Sequence, residues 1–263
     1  MIDRRNFIEK SLLSAGGILL SKFVFSNSQI KMMEKELIFI PKVIFFDVNE
    51  TLLDLKPLKD KVAILLDGKK ELVNLWFTTM LQYSLVSTVG GKYEDFGDIG
   101  LATLQMVAAN NNISISKEKG KETLKTILDL PAHPDVKDAL TQLKEAGYSM
   151  VTLTNSSNKA LEDQMTNSDL KKFFQHLLSI EEVGLYKPHK NVYEWAARKM
   201  GIAPQDCMLV AAHGWDIAGA KWAGWRTAFI SRTGQQIYPL AEKPDMTGSN
   251  LKEIAAQLIV LKK

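Results

Sequence analysis

The sequence predicts an α/β protein with a Rossmann-like parallel sheet and a helical insertion directly after the first strand. Three observations carry this. A short apolar segment, Val43-Ile44-Phe45-Phe46, ends in Asp47. From Pro57 to about Leu130 apolar residues recur at helical spacing, with no strand pattern. From Pro131 onward strand-like and helix-like segments alternate, which implies parallel strands with helices on both faces.

The first strand, from Lys42, reads as buried. A carboxylate at the end of a buried strand needs partners, and in an open α/β sheet ligands bind at the carboxyl ends of the strands. Asp47 is therefore either presented to a substrate or held as a turn or N-cap residue, with Thr51 able to cap the turn through its hydroxyl. On this segment alone the two readings are equal. In the insertion, Leu72, Leu75, Trp76, Met80 and Tyr83 form one helical series, and Phe96, Ile99, Leu101, Leu104 and Val107 another. Gly90-Gly91 and Asn110-Asn111-Asn112 punctuate them. The pattern then gives a helix over Asp135–Ala146, a strand over Tyr148–Leu153, a helix near Lys159–Asn167 and a last helix over Leu251–Leu261. The domain reading is a core of residues 38–55 and 131–263 and a helical cap of residues 56–130.

Composition is ordinary for a globular protein: 46% hydrophobic and 24% charged over 263 residues, with a net charge of +3. Setting aside residues 1–25 leaves 29 basic against 28 acidic residues. That balance gives no electrostatic case for nucleic acid. The lone cysteine, Cys207, lies in a predicted buried strand and reads as a packing residue. Near the N-terminus, Arg4-Arg5-Asn6-Phe7 precedes an apolar stretch from Ser11 to Phe25. A basic start before so short an apolar run reads as an export signal rather than a membrane span, which needs about 20 apolar residues. The paired arginines resemble a twin-arginine signal over residues 1–29. This implies a periplasmic protein in transient contact with the export machinery. An uncleaved membrane anchor and an ordinary amphipathic helix are the alternatives.

Three further segments follow the first: Val151-Thr152-Leu153-Thr154-Asn155-Ser156, Gly184-Leu185-Tyr186-Lys187-Pro188 and Val210-Ala211-Ala212-His213-Gly214-Trp215-Asp216. They are expected at strand ends of the same sheet. Together the four resemble the motifs of the haloacid dehalogenase superfamily, and most closely those of its type II L-2-haloacid dehalogenases. The resemblance runs from about Lys42 to the C-terminus. It implies the superfamily fold with its smaller, helical cap, a small-molecule substrate and a homodimer as one possible assembly.

The resemblance also implies roles. Asp47 is the nucleophile, supported by Thr51, Lys187 and Asp216. Pro188 is expected to start a helix, and Asp216 to cap one while facing the pocket. Thr154 and Asn155 are expected to hold Asp47 or the substrate carboxylate. Phosphatases of the superfamily carry a general-acid Asp two residues after the nucleophile; here Asn49 stands there and cannot supply a proton. A halide leaving group needs none, whereas a phosphate ester without its acid reacts slower by a factor of about 10²–10⁴. Where phosphatases place a further Mg²⁺-binding Asp the chain has Ala211. A hard divalent ion wants several oxygen ligands, so neither metal nor other cofactor is expected.

The remaining expected substrate contacts are Phe77, Leu81, Phe96, Tyr193, His213 and Trp215. Three positions depart from the dehalogenase pattern, one of them His213, which stands where the family has an Asn that helps bind the halide. An Arg that grips the leaving halide is replaced by Phe77 after Trp76; the five arginines, Arg4, Arg5, Arg198, Arg226 and Arg232, all lie outside the cap. Lys92 is one candidate substitute. Glu50 stands where the family has Gly and brings negative charge near Asp47. The implied reaction is attack of Asp47 on the α-carbon of a small 2-haloacid, expulsion of halide and hydrolysis of the aspartyl ester. Open alternatives are a phosphate ester, another carbon electrophile, or a non-catalytic binding protein on the same scaffold.

Overall fold

Strands β1 (Val43–Phe46), β2 (Ser149–Thr154), β3 (His176–Ser179), β4 (Cys207–Ala211), β5 (Arg226–Ile230) and β6 (Met246–Gly248) form one sheet in the computed structural model, which describes residues 39–262. The order is β3-β2-β1-β4-β5-β6 and every pairing is parallel. The expected export signal lies outside the described residues. β1 is central, and its four side chains are at most 5% exposed. It pairs with β2 (Val43 opposite Ser149) and with β4 (Val43 opposite Cys207). The strand order reverses beside β1, and the crevice at such a reversal is where open α/β sheets bind ligands. Phe45 packs on Trp225 at 4.5 Å between ring centroids, and Tyr193 meets the same indole edge-on at 5.6 Å.

Between β1 and β2 run helices α1 (Lys56–Leu65), α2 (Lys70–Val89), α3 (Phe96–Asn110) and α4 (Lys117–Leu124) and a 3₁₀ turn (Lys125–Asp129). Their ends follow local chemistry. Pro57 lies in the first turn of α1, Asp95 caps α3 by accepting from Gly97 N–H, and Ser116 caps α4 by accepting from Lys119 N–H. Trp76 of α2 donates its indole N–H to Gly100 O of α3 at 2.8 Å. A Cβ at Gly100 would stand 3.0 Å from Met80 Sδ, so the residue's bareness lets the two helices close up. Tyr186 joins this insertion to the core: its hydroxyl donates to Glu94 O at 2.5 Å and its N–H to Thr88 Oγ1 at 3.0 Å.

The core helices are α5 (Val136–Glu145), α6 (Asn158–Asn167), α7 (Lys190–Lys199), α8 (Gly214–Trp222) and α9 (Leu251–Val260). Three expectations need correcting. The strand after α5 starts one residue late, because Tyr148 N–H bonds back to Leu143 O beyond a left-handed Gly147 (φ 73°). The Gly184–Pro188 segment is not a strand end. β3 stops at Ser179, whose hydroxyl accepts from Glu181 N–H and turns the chain into a 3₁₀ turn, so Lys187 is carried on the loop beyond. Pro188 does not open α7; His189 caps that helix by accepting from Asn191 N–H.

One ion pair fastens three of these elements together. Arg232 donates to both oxygens of Asp135 (2.7 and 3.0 Å) and to Thr51 O (3.0 Å), while Asp135 also accepts from Leu251 N–H at the start of α9 (2.6 Å). The two side chains are 9% and 13% exposed. Removing one partner strands the other charge, so Asp135→Ala should destabilise the protein by about 2–3 kcal/mol, or roughly 5–10 °C in Tm. Calorimetry of wild type and variant measures this, and a Tm within about 1 °C of wild type would contradict it.

Candidate active site

Asp47 continues the β1 ladder by donating its N–H to Val210 O at 3.1 Å. The chain then turns tightly, with Glu50 in the left-handed region (φ 66°) and Leu52 and Leu53 both donating to Val48 O. That turn folds Thr51 back over Asp47. The Thr51 hydroxyl accepts from Ala212 N–H at 2.9 Å and donates to Asp47 Oδ2 at 2.6 Å. Its one proton is thereby committed to the carboxylate.

Lys187 is 1% exposed and spends all three ammonium protons: on Asp47 Oδ1 (3.0 Å), Asp216 Oδ2 (2.6 Å) and Leu153 O (2.8 Å). Asp216 is the third residue of α8 rather than its cap. Its other oxygen accepts from Tyr193 at 2.6 Å. A Cβ at Gly219 would come within 2.6 Å of that Tyr193 hydroxyl, so only glycine admits the contact. His213 Nδ1 stands 3.2 Å from Asp47 Oδ2, and an ionised Asp47 requires that nitrogen to be the donor. The His213 ring is flanked by Trp215 (5.1 Å between centroids) and Phe77 (6.4 Å), both near-parallel to it.

The charges settle asymmetrically. Burial pushes the Asp47 carboxyl upward, but the Lys187 ammonium and the hydrogen bonds from His213 and Thr51 outweigh it and hold the carboxyl below the usual range. Burial also raises Asp216. There Lys187 opposes the rise and the charge of Asp47 adds to it, so Asp216 ends above the ordinary Asp value. Burial depresses Lys187, yet the two carboxylates overcome this and keep it cationic. The charge of Glu50 is met by Lys59, at 2.8 and 3.0 Å from its two oxygens.

Other expected residues take different positions. Tyr193 serves Asp216 rather than a substrate, because its hydroxyl is spent on that carboxylate. Thr154 accepts from Ser156 N–H and Asn155 from Lys187 N–H, so these two brace the motif loops, and neither hydrogen-bonds to Asp47. Both ends of the Asn49 amide are engaged, donating to Ser156 Oγ (3.0 Å) and accepting from Gln164 Nε2 (2.9 Å). Phe77 and Phe96 line a cavity under the helical insertion, but Leu81 is not among its walls. Lys92 is exposed. Sequence reasoning missed Ser156 and Gln164. Ser156 directly follows Asn155, so its position was a signal; Gln164 had none.

The donor set also bears on metal. Position 211 is a buried Ala, Asn49 is internally bonded, and Asp47 and Asp216 already share Lys187. Among the described residues no cluster of three or more His, Cys, Asp or Glu side chains is arranged to hold a metal ion. These residues do not fit a divalent cation.

A parallel α/β core whose central strand presents a lysine-bound Asp under a helical insertion defines a class of hydrolase, and comparison with known proteins identifies it. Residues 41–224 match the haloacid dehalogenase-like hydrolase family, to which this chain belongs. It is 28% identical over 207 residues to haloacetate dehalogenase H-2 of Moraxella sp. (strain B), covering 78% of this chain and 92% of that one. It is 29% identical over 218 residues to (S)-2-haloacid dehalogenase 1 of Pseudomonas sp. (strain CBS-3), covering 82% and 96%. The fold is shared with L-2-haloacid dehalogenase from Xanthobacter autotrophicus, solved with chloropropionic acid covalently bound: TM-score 0.77, 20% identity, 83% of this chain and 98% of that one.

The Tyr193 hydrogen bond lowers the proton affinity of Asp216. Tyr193→Phe should therefore move the acidic limb of the pH–activity profile to higher pH, while Asp47, held below the usual range, remains ionised across it. A limb that stays in place or moves to lower pH would contradict this assignment.

Proposed function

We propose that the protein hydrolyses small 2-haloacids, releasing halide through an ester on Asp47. The observation that carries this reading is Asn49. It stands where a phosphatase needs a proton donor, and its amide is tied at both ends to Ser156 and Gln164. A carbon–halogen bond breaks without protonation of the leaving group, so the site suits that bond. The dehalogenase names of the relatives point the same way.

Asp47 Oδ2 already accepts from Thr51 and His213, whereas among the described residues Oδ1 accepts from Lys187 alone. Oδ1 thus keeps a lone pair for the α-carbon. Attack there forms the C–O bond, breaks the carbon–halogen bond and inverts the carbon. Lys187 holds Asp47 ionised before attack. When water then adds to the ester carbonyl, negative charge gathers on Oδ2, where the Thr51 hydroxyl and His213 N–H already stand as donors. Asp216, whose proton affinity burial raises, takes the proton that the water gives up. As the adduct collapses, the acyl carbon–oxygen bond breaks, the departing alkoxide takes the proton held by Asp216, and the regenerated Asp47 gives its remaining proton to solvent as the hydroxy acid leaves.

Incubation with a panel of 2-haloacids and phosphate esters tests this directly. Halide should be released at rates unaffected by EDTA, phosphate esters should react poorly, and Asp47→Asn should abolish turnover without lowering Tm by more than a few degrees. Mg²⁺-dependent phosphate release as the main activity would overturn the assignment. Phe77 adds a finer expectation. A hydrogen bond from a charged group contributes about 1.5–3 kcal/mol, a factor of roughly 10–10² in rate. Without a guanidinium at this position, bromide should be released faster than chloride, and Phe77→Arg should raise chloride release. A wild type that handles both halides equally, with a variant that is only slower, would show that other groups hold the halide.

Residues 1–29 carry the features of a twin-arginine signal, and we place the enzyme in the periplasm on that basis. Replacing Arg4 and Arg5 with Lys should leave it in the cytoplasm on fractionation. Unchanged periplasmic recovery would contradict the export route.

A further inference from the structure

A cavity of about 270 Å³ lies between the helical insertion and the core. Trp76, Phe77, Met80, Phe96, Leu101 and Leu128 supply apolar walls from the insertion, and Ser156 and Ala160 close it from the start of α6. Of its charged lining residues, Asp98, Lys121 and Lys125 are exposed to solvent and Asp95, the cap of α3, is half-buried. Asp47 and Lys187 are not among its described lining residues, but on one side a single side chain, His213, separates it from the reacting carboxylate. Phe77 stacks on His213, which donates to Asp47. Ser156 accepts from Asn49, two residues after Asp47.

A methyl group, the α-substituent of a 2-halopropionate, fills little of this space. A dry apolar cavity of about 150 Å³ is enough to take benzene, so this one holds a phenyl ring or an alkyl chain of several carbons. Among the described residues its walls offer no buried cation to a carboxylate or a halide, so what enters is the apolar part of the substrate. We propose that the cavity is the subsite for the α-substituent, and that the preferred substrates are 2-haloacids bearing an apolar group of about four to six carbons.

The inference rests on the dehalogenase reading and narrows it to a substrate class. Each buried methylene is worth a factor of roughly three to four in binding. The three that separate 2-bromohexanoate from 2-bromopropionate should therefore raise kcat/KM by roughly 30-fold, and 2-bromo-2-phenylacetate should likewise be favoured over 2-bromopropionate. Ala160→Phe, which fills the cavity from the core side, should bring the hexanoate-to-propionate ratio close to one. Unreactive carboxylates give a second readout. Hexanoate should quench the protein's tryptophan fluorescence at lower concentration than propionate in wild type, and not in Ala160→Phe. A melting curve shows that the variant is folded; if it is not, Met80→Phe serves in its place.

Bromide release with a flat or inverted chain-length preference, or equal binding of hexanoate and propionate, would overturn the inference and leave the dehalogenase reading standing. Bromide release from none of the three acids would overturn that reading and the substrate class with it.

Discussion

The Lys187 ammonium is the constraint on which the site depends. It is buried, its three protons are all engaged, and two of its three acceptors are carboxylates. A buried cation is stable only with such partners, and a buried Asp47 stays ionised only beside such a cation. Each group thus makes the other possible, and the chain supplies them from positions 140 residues apart. Asp216 is the counterweight. Two carboxylates sharing one ammonium do not hold their protons equally, and the hydrogen bonds from Thr51 and His213 tip the ionised state toward Asp47.

Much of the surrounding fold delivers these few atoms. The central position of β1 places Asp47 at the reversal of strand order. Arg232 clamps the backbone of Thr51 to the starts of α5 and α9, which fixes the turn that aims the Thr51 hydroxyl. Tyr186, beside Lys187, is bonded to the insertion through Glu94 O and Thr88 Oγ1. Movement of the insertion would therefore reach the loop that carries the lysine. Asp47 itself is buried, 5% exposed, so the carboxylate nucleophile meets little competing hydration.

The sheet, the insertion after β1 and the pairing of Asp47 with Lys187 and Asp216 were legible in the sequence. Each is written locally, as an apolar run ending in Asp, a change of period, or a short motif. What escaped was long-range hydrogen bonding. Asn49 meets Ser156 across 107 residues, and Arg232 meets Thr51 across 181. No local periodicity encodes such pairs. Tyr193 was recognised as part of the site but assigned to the substrate, because sequence spacing gives proximity and not the direction of a hydroxyl. The third motif was read as a strand end for a related reason: a strand as short as β3 leaves little pattern to mark where it stops.

The central claim is that Asp47, kept ionised by Lys187, bonds to the substrate carbon. Single-turnover hydrolysis of a brominated 2-haloacid by excess enzyme in ¹⁸O-water, followed by mass spectrometry of the peptide containing Asp47, tests it most directly. The account predicts that the label enters the Asp47 carboxyl while the first-turnover hydroxy acid stays unlabelled, since the oxygen given to the product comes from the aspartate. Label found in the hydroxy acid alone would mean that water attacks the carbon itself, and would contradict the account.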